Sequence, residues 1–123
     1  MITLTFAEQL IAWRAMKALS QPAAAHELNV HTASLNAVER GRRDRLPREA
    51  ILPADLPTTV ERGDLVVMIV RRRLGLRQAR FAELMGVHVY RARCWESGKP
   101  GTLPDPGVVA RAVELYRAAN SAN

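Results

Sequence analysis

The spacing of apolar and polar positions along the chain predicts short helices rather than strands. In the first half, the apolar residues recur every three or four positions, which is the period of one helix face and not that of a strand. This pattern predicts a first helix whose apolar stripe consists of Phe6, Leu10, Trp13 and Met16 or Lys17. A second helix is predicted over Gln21 to Leu28, and a third from about Thr32 to Arg40.

The residues between these stripes are suited to begin and end helices. Ser20 precedes the second helix and can accept a hydrogen bond from its first turn, where Pro22 is tolerated because its missing N–H would be unpaired there. Asn29 follows this helix and tolerates the left-handed conformation that ends many helices; Gly41 follows the third helix in the same way. We therefore expect three helices joined by tight turns.

The second half of the chain repeats the first. A shift of 57 residues, without a gap, brings together identical residues that include Arg14 and Arg71, Leu19 and Leu76, Gln21 and Gln78, Ala25 and Ala82, Val30 and Val87, His31 and His88, Glu39 and Glu96, and Gly41 and Gly98. The apolar positions that predict the same three helices in the second copy are Leu65, Val66, Ile69, Val70, Phe81, Ala82, Met85, Ala92 and Trp95. A fixed internal period indicates two copies of one small unit.

Prolines interrupt the segment that follows each third helix. They are Pro47, Pro53 and Pro57 in the first copy and Pro100, Pro104 and Pro106 in the second. Because proline breaks helices, the first copy has room only for a short helix near Arg48 to Leu52 and a stiff connector, whereas a last helix is predicted near Val108 to Ala118. The expected fold is all-α, with one unit over residues 1–57 and another over residues 58–123.

Composition removes several classes of function. Apolar residues make up 48% of the chain and charged residues 24%, as in folded globular proteins. The longest apolar run is Leu65 to Val70, and the first residues do not resemble a signal peptide, so we expect no membrane span and a cytoplasmic location. With Cys94 as the only cysteine and three histidines that lack metal-ligand spacing, we expect no disulfide, no metal and no cofactor.

The charge of the chain favours a polyanionic partner. Lys and Arg number 18 against 12 Asp and Glu, a net charge of +6, and all but two of the cations are Arg. Arg pairs well with phosphate and with the edge of guanine. A GC-rich genome would also raise the Arg content, but the charge is uneven: residues 61–123 carry eleven cations and six anions, and residues 1–60 carry seven and six. The second half is therefore the better candidate for nucleic-acid contact.

Two segments resemble a known family. They are LSQPAAAHELNVHTASLNAVERGRR, which starts at Leu19, and LRQARFAELMGVHVYRARCWESGKP, which starts at Leu76. Both resemble the DNA-binding domains of Cro and the phage repressors, the XRE family of bacterial and phage regulators. The resemblance covers roughly residues 6–52 and 64–118. It implies two tandem lambda-repressor-like helix-turn-helix units, with the third helix of each copy as the recognition helix.

The resemblance also implies structural ion pairs. Arg near the end of the first helix pairs in that family with Glu at the end of the recognition helix. Here the matching residues stand 25 apart in both copies: Arg14 with Glu39, and Arg71 with Glu96. Both copies depart from the family at the start of the recognition helix, where His31 and His88 replace the usual Ser or Thr.

The same resemblance indicates which side chains meet DNA. The glutamine at the head of the second helix is expected to approach the phosphate backbone, and the outward side chains of the recognition helix are expected to meet bases. The candidates are Gln21, His31, Thr32, Ala33, Ser34, Asn36, Arg42 and Arg43 in the first copy, and Gln78, His88, Val89, Tyr90, Arg91, Arg93 and Lys99 in the second. Cys94 is expected to face outward or to be half buried.

The two recognition helices differ in what they can read. Short side chains in the first can touch thymine methyl groups, and Asn36 can pair with adenine, only where the backbone comes close to the bases. The recognition helix of the second copy has longer and more basic side chains. A scaffold or dimerisation role for the first copy is therefore open, but the arginines that follow its recognition helix favour phosphate contact; they are Arg40, Arg42, Arg43, Arg45 and Arg48.

These observations lead to a predicted function. We expect a regulator that binds double-stranded DNA, most simply a repressor acting near its own gene in a phage or other mobile element. It is expected to act as a homodimer on an inverted repeat, since such a site requires identical readers related by a two-fold axis. The alternative is a protein-interaction module, such as an XRE-type antitoxin or a polymerase-binding factor. No nucleophile–base pair, paired carboxylates or phosphate-binding glycine loop is present in the sequence, so an enzyme is not expected. Because the two repeats leave no room for a ligand-sensing domain, no small-molecule ligand is expected either.

Overall fold

Seven helices and one pair of short strands form the regular structure of residues 2–97 and 103–121, the residues that the computed structural model describes. Gly98, Lys99 and Pro100, named above, lie outside these ranges. The chain divides into two units, Met1–Val60 and Glu61–Asn123. In chain order the elements are β1 (Ile2–Thr3), α1 (Phe6–Met16), α2 (Gln21–Glu27), α3 (Thr32–Glu39), β2 (Thr59–Val60), α4 (Gly63–Leu74), α5 (Gln78–Met85), α6 (Val89–Glu96) and α7 (Pro106–Ser121).

Local hydrogen bonds explain where the first two helices begin. The Thr5 hydroxyl accepts a hydrogen bond from the Glu8 backbone N–H, and the Glu8 carboxylate accepts one from the Thr5 N–H, at 3.0 Å. This reciprocal arrangement satisfies N–H groups that would otherwise be unpaired at the start of α1. The Ser20 hydroxyl accepts from the Ala23 N–H at the start of α2, which confirms the predicted cap.

The core of the first unit is formed by one face of each of its three helices. Its buried residues are Leu10, Trp13, Ala24, Ala25, Leu28, Leu35, Val38 and Leu46. The predicted stripe of α1 is correct at Leu10 and Trp13 but wrong at its end, because Met16 is 50% exposed. Lys17, the other residue predicted at this end, is not part of the apolar stripe. Its ammonium group lies 5.8 Å from the centre of the Trp13 ring and forms an ion pair with Asp55. The apolar stripe therefore ends one turn earlier than predicted.

The predicted short helix near Arg48 to Leu52 is not present. The segment forms a single turn closed by the Ala50 N–H and the Pro47 carbonyl, and the Ile51 N–H donates to the Leu28 carbonyl at the end of α2. The second unit shows what prevents a longer helix. A shift of 57 residues places Pro53 and Pro57 in the interior of α7, where proline would remove hydrogen bonds and clash with the preceding turn.

The first unit also contains a two-stranded sheet near its two ends, a small addition to a fold that is otherwise helical. Strands β1 and β2 are antiparallel, with Ile2 opposite Val60 and Thr3 opposite Thr59. The Leu4 N–H extends the ladder by donating to the Thr58 carbonyl at 2.9 Å. The β-branched residues at both ends of the unit favour this extended pairing.

The second unit has the same three-helix arrangement and adds a fourth helix. Helix α4 packs against α6 and α7, and α5 packs against α6 and α7. All of the predicted apolar positions of these helices are buried: Leu65, Val66, Ile69, Val70, Phe81, Ala82, Met85, Ala92 and Trp95. The last helix is longer than predicted. It begins at Pro106, an acceptable residue in a first turn, and continues to Ser121.

The repeat in the sequence is matched in the structure, where equivalent helices and turns of the two units have equivalent backbone hydrogen bonds. Helices α4, α5 and α6 begin 57 residues after α1, α2 and α3. The turn after the first helix is closed by Leu19 N–H to Arg14 O in one unit and by Leu76 N–H to Arg71 O in the other. The residue before each closing position has a positive φ, 53° at Ala18 and 69° at Gly75. The same turn is therefore built with alanine in one unit and glycine in the other.

This difference predicts opposite effects of two substitutions. Gly75→Ala should lower the free energy of unfolding by about 1 kcal/mol, because a Cβ at this position meets no atom within 4 Å and the cost is that of the left-handed backbone alone. Ala18→Gly should raise it, by less than about 1 kcal/mol, because relief of the same strain is partly offset by the entropy of the unfolded chain. Urea denaturation of both variants measures this; shifts of the same sign would contradict the explanation.

Candidate nucleic-acid interface

A buried ion pair fixes the end of α3 to the end of α1. Arg14 Nε donates to Glu39 Oε2 at 3.0 Å, and Nη2 donates to Oε1 at 2.9 Å. Arg14 Nη1 also donates to the Leu19 carbonyl, which lies in the turn before α2. The Glu39 side chain is only 3% exposed. One guanidinium group therefore holds all three helices of the first unit in register.

The second unit contains the same arrangement. Arg71 Nε donates to Glu96 Oε2 at 2.5 Å, Nη2 donates to Oε1 at 2.6 Å, and Nη1 donates to the Leu76 carbonyl at 2.7 Å. Both side chains are largely buried, with 14% of Arg71 and 11% of Glu96 exposed. Both predicted pairs are thus present with two-point geometry, the strongest form of this interaction.

The turn that leads into α3 and α6 is also the same in the two units. It contains a residue with positive φ, 57° at Asn29 and 70° at Gly86. The following N–H closes the turn in each case: Val30 donates to Ala25 O and Val87 donates to Ala82 O, both at 3.0 Å. In each unit two helices are therefore joined by a short turn, and the second of them has one face in the core and one face outside.

The side chains on the outward face of α3 are short and uncharged. Thr32 and Ala33 are exposed, while Ser34 and Asn36 are half buried. His31 precedes the helix, is exposed, and makes no side-chain capping bond. The nearest positive charges follow the helix: Arg40, Arg42, Arg43 and Arg45, all exposed, surround a turn at Gly41, where φ is 77°.

The outward face of α6 is larger and basic. Tyr90 is 58% exposed, Arg91 and Arg93 are exposed, and Val89 is half buried. His88 is exposed and caps the helix, since its Nδ1 accepts a hydrogen bond from the Tyr90 N–H at 3.1 Å. The structure therefore places the predicted residues His88, Val89, Tyr90, Arg91 and Arg93 at the start of α6 and on its outer side. Gln78 stands at the head of α5, and Lys99 lies outside the described residues.

Two residues of the second unit, Cys94 and Arg73, have surroundings that the sequence does not predict. Cys94 is buried, with 8% exposed, rather than outward, and it lines a surface pocket with Leu103 and Pro104 from the segment before α7. Arg73 on α4 contacts α7, since its guanidinium lies 5.6 Å from the centre of the Tyr116 ring and donates to the Tyr116 hydroxyl. Neither contact could be predicted from the sequence, because both depend on how α7 and the segment before it pack.

The two glutamines at the heads of α2 and α5 have different surroundings. Gln21 Nε2 donates to Asn36 Oδ1 at 3.2 Å and to Glu39 Oε1 at 3.4 Å. Gln78 is half buried and makes no hydrogen bond within residues 2–97 and 103–121. Phosphate contact remains a prediction for both residues, but in this geometry the amide hydrogens of Gln21 are directed at protein acceptors.

The described residues contain no group of three or more His, Cys, Asp or Glu that could hold a metal ion. None of the described helices is long and apolar enough to cross a membrane. Comparison of the chain with protein-family models, with curated proteins and with solved structures finds no match.

The burial of the ion pairs leads to a stability prediction. Glu96→Ala should lower the free energy of unfolding by about 3 kcal/mol, because Arg71 would keep its charge in a site that is mostly closed to water. Glu83→Ala is the matched control: it removes a carboxylate from an ion pair with Arg80 whose side chains are 57% and 70% exposed, and it should cost less than about 1 kcal/mol. Similar losses in the two variants, measured by urea denaturation, would show that burial does not matter here.

Proposed function

We propose that the chain is a transcription regulator that binds double-stranded DNA through two helix-turn-helix units of the XRE type. The observation that carries the proposal is the exposed basic face of α6. Arg91 and Arg93 are exposed on a helix whose Ala92 and Trp95 are buried and whose end is held by Glu96. The major groove of DNA admits one α-helix, and Arg pairs with the two acceptors of guanine there.

The first unit supports the same proposal through its positive charge rather than through its helix. The arginines around Gly41 are exposed and form no ion pair with a carboxylate of residues 2–97 and 103–121. They follow α3 at the point where the phosphate backbone would pass a recognition helix. In this proposal Arg42 and Arg43 set the position of the unit on DNA, and α3 lies in the groove.

The proposed mode of action is occlusion. A protein seated in adjacent major grooves excludes polymerase from a promoter, so the chain would act as a repressor, most simply of its own operon in a phage or other mobile element. The place of action would be the cytoplasm, and the active form a homodimer. Each chain would use α6 as its principal reader and the first unit for flanking contacts or dimerisation.

A second candidate function is a protein-interaction module, such as an antitoxin of the XRE type or a polymerase-binding factor. The observation that favours it is the absence of charge on the outward face of α3. A face of Thr32, Ala33 and Ser34 offers little electrostatic attraction to DNA and would suit contact with a protein. The salt dependence of binding distinguishes the two functions. An affinity for duplex DNA that falls steeply as the salt concentration rises would favour the DNA-binding regulator.

The proposal predicts separate effects for base-reading and phosphate-contacting arginines. After selection of a binding site from random duplexes, Arg91→Ala or Arg93→Ala should lose about 1–3 kcal/mol on the selected site if the residue pairs with guanine, and much less on random DNA. Arg42→Ala should weaken both kinds of duplex equally and reduce the slope of log affinity against log salt by about 0.9.

Arg117→Ala is the control for net charge. It removes one exposed cation from α7, on the same unit as α6, and should change the affinity for both duplexes only slightly. Equal losses in all four variants would mean that the chain attracts DNA only through its overall charge. Failure of the wild-type protein to bind any duplex at low salt would favour the protein partner instead.

Stoichiometry provides an independent prediction. Two half-sites on one face of B-DNA lie about 34 Å apart, and a two-fold dimer presents the same helix to each. Because α3 and α6 carry different side chains, one chain alone would read an asymmetric site. We expect two chains on an inverted repeat, as measured by sedimentation of the free protein and of its DNA complex. A single chain that saturates a non-palindromic site would contradict this expectation.

A further inference from the structure

Two leucines at equivalent positions of the repeat lie in different surroundings. In the first unit, Leu46 is 7% exposed and belongs to the same buried cluster as Val38 of α3. A shift of 57 residues leads from these two residues to Leu103 and Trp95. Trp95 is buried, whereas Leu103 is 62% exposed. Because tryptophan is larger than valine and protein cores are closely packed, the core of the second unit has less room for the leucine.

A pocket of about 400 Å³ lies between α6 and the segment that carries Leu103. We call it the α6 pocket, and its walls include Tyr90, Arg91, Trp95, Leu103 and Asp105. Small-molecule sites of proteins have volumes in this range, with apolar and aromatic walls and a few polar groups that orient the ligand. The α6 pocket has this composition, since two aromatic rings and a leucine face it together with one cation and one anion.

The two charged walls differ in how their charges are compensated. Asp105 Oδ1 accepts a hydrogen bond from the Val108 N–H at 3.0 Å, at the start of α7, where the helix dipole stabilises a negative charge. Arg91 forms no ion pair with a carboxylate of residues 2–97 and 103–121. The pocket therefore offers one uncompensated cation beside aromatic rings. Arginine binds a carboxylate through two parallel hydrogen bonds, so a carboxylate attached to an aromatic ring matches both features.

We propose that the α6 pocket binds a small aromatic carboxylate whose anionic group pairs with Arg91. Tyr90 and Arg91 are also among the residues that the proposed function places against DNA, so a ligand that holds Arg91 keeps it from pairing with guanine. The ligand is then an inducer that weakens binding to the operator. This regulatory step rests on the proposed function, whereas the binding of the ligand does not. A separate ligand-sensing domain is not needed, because the pocket lies within one repeat.

Titration with 1-naphthoate, followed by NMR, tests the binding step. The chain has two tryptophans, so the indole N–H signal of Trp95 reports on the α6 pocket and that of Trp13, in the first unit, is an internal control. The Trp95 signal should shift in a saturable way while the Trp13 signal stays in place. 1-Naphthalenemethanol has the same rings without the charge and should bind about tenfold more weakly. Equal shifts of the two signals, equal affinities of the two compounds, or no shift would overturn the proposal.

Two exposed leucines of the second unit provide a matched pair of variants. Leu103→Ser removes an apolar wall of the pocket, whereas Leu84→Ser makes the same change on α5, at a residue that does not line it. Because both leucines are exposed, both variants should fold, as circular dichroism melting can verify. Leu103→Ser should weaken 1-naphthoate binding several-fold and Leu84→Ser should leave it unchanged. The same affinity in both variants would contradict the assignment of the pocket.

The regulatory step is measured separately, on a duplex selected from random sequences. At constant ionic strength, saturating 1-naphthoate should lower the affinity of the wild-type protein for this duplex by about tenfold, the loss expected when one arginine no longer pairs with guanine. Leu103→Ser should need several-fold more 1-naphthoate for the same loss. An unchanged affinity at saturation would refute the inducer role. If the wild-type protein binds 1-naphthoate but no duplex, the proposed function fails and the ligand site stands.

Discussion

The arrangement of each unit depends on one buried guanidinium group and its carboxylate. An ion removed from water is costly unless its partner and its remaining hydrogen bonds are in place. Arg14 meets this requirement only when the end of α3 and the carbonyl of Leu19 are both in position, and Arg71 does so only with Glu96 and Leu76. The apolar core supplies most of the driving force for folding but tolerates several packings. The ion pair makes the packing specific, because it fixes the end of the first helix of each unit against the end of the third.

Features of the fold that follow from short-range chemistry could be predicted from the sequence. The start of α2 and the positive φ of Asn29 follow from residue type, whereas the two ion pairs are expected from the resemblance to the XRE family. The β1–β2 ladder could not be predicted in this way, because two-residue strands have no measurable period. The turn that the structure has near Arg48 to Leu52 could not be predicted for a related reason: prolines can bound a helix or exclude one, and only the contacts of the surrounding chain decide which.

In the candidate interface, too, some features follow from local sequence and others depend on contacts that are distant in the chain. Exposure of Arg91, Arg93 and Tyr90 follows from helical period, because Ala92 and Trp95 occupy the inward positions. Burial of Cys94 depends on the segment before α7, which is distant in sequence. The bond from Gln21 to Asn36 depends on side-chain rotamers. A signal for it does exist in the sequence, since an acceptor follows the glutamine at the fifteenth position in one copy and a cation follows it there in the other.

The short sheet of the first unit brings the two ends of that unit to the same place. Ile2 lies beside Val60, so the chain enters and leaves through neighbouring strands. A folded segment with adjacent ends can be spliced into a surface loop of another protein without forcing the host chain apart, and its own ends can be joined and reopened elsewhere. The first unit is therefore suited to circular permutation and to transfer as an insert, a freedom that comes from four residues of extended backbone rather than from any of the helices.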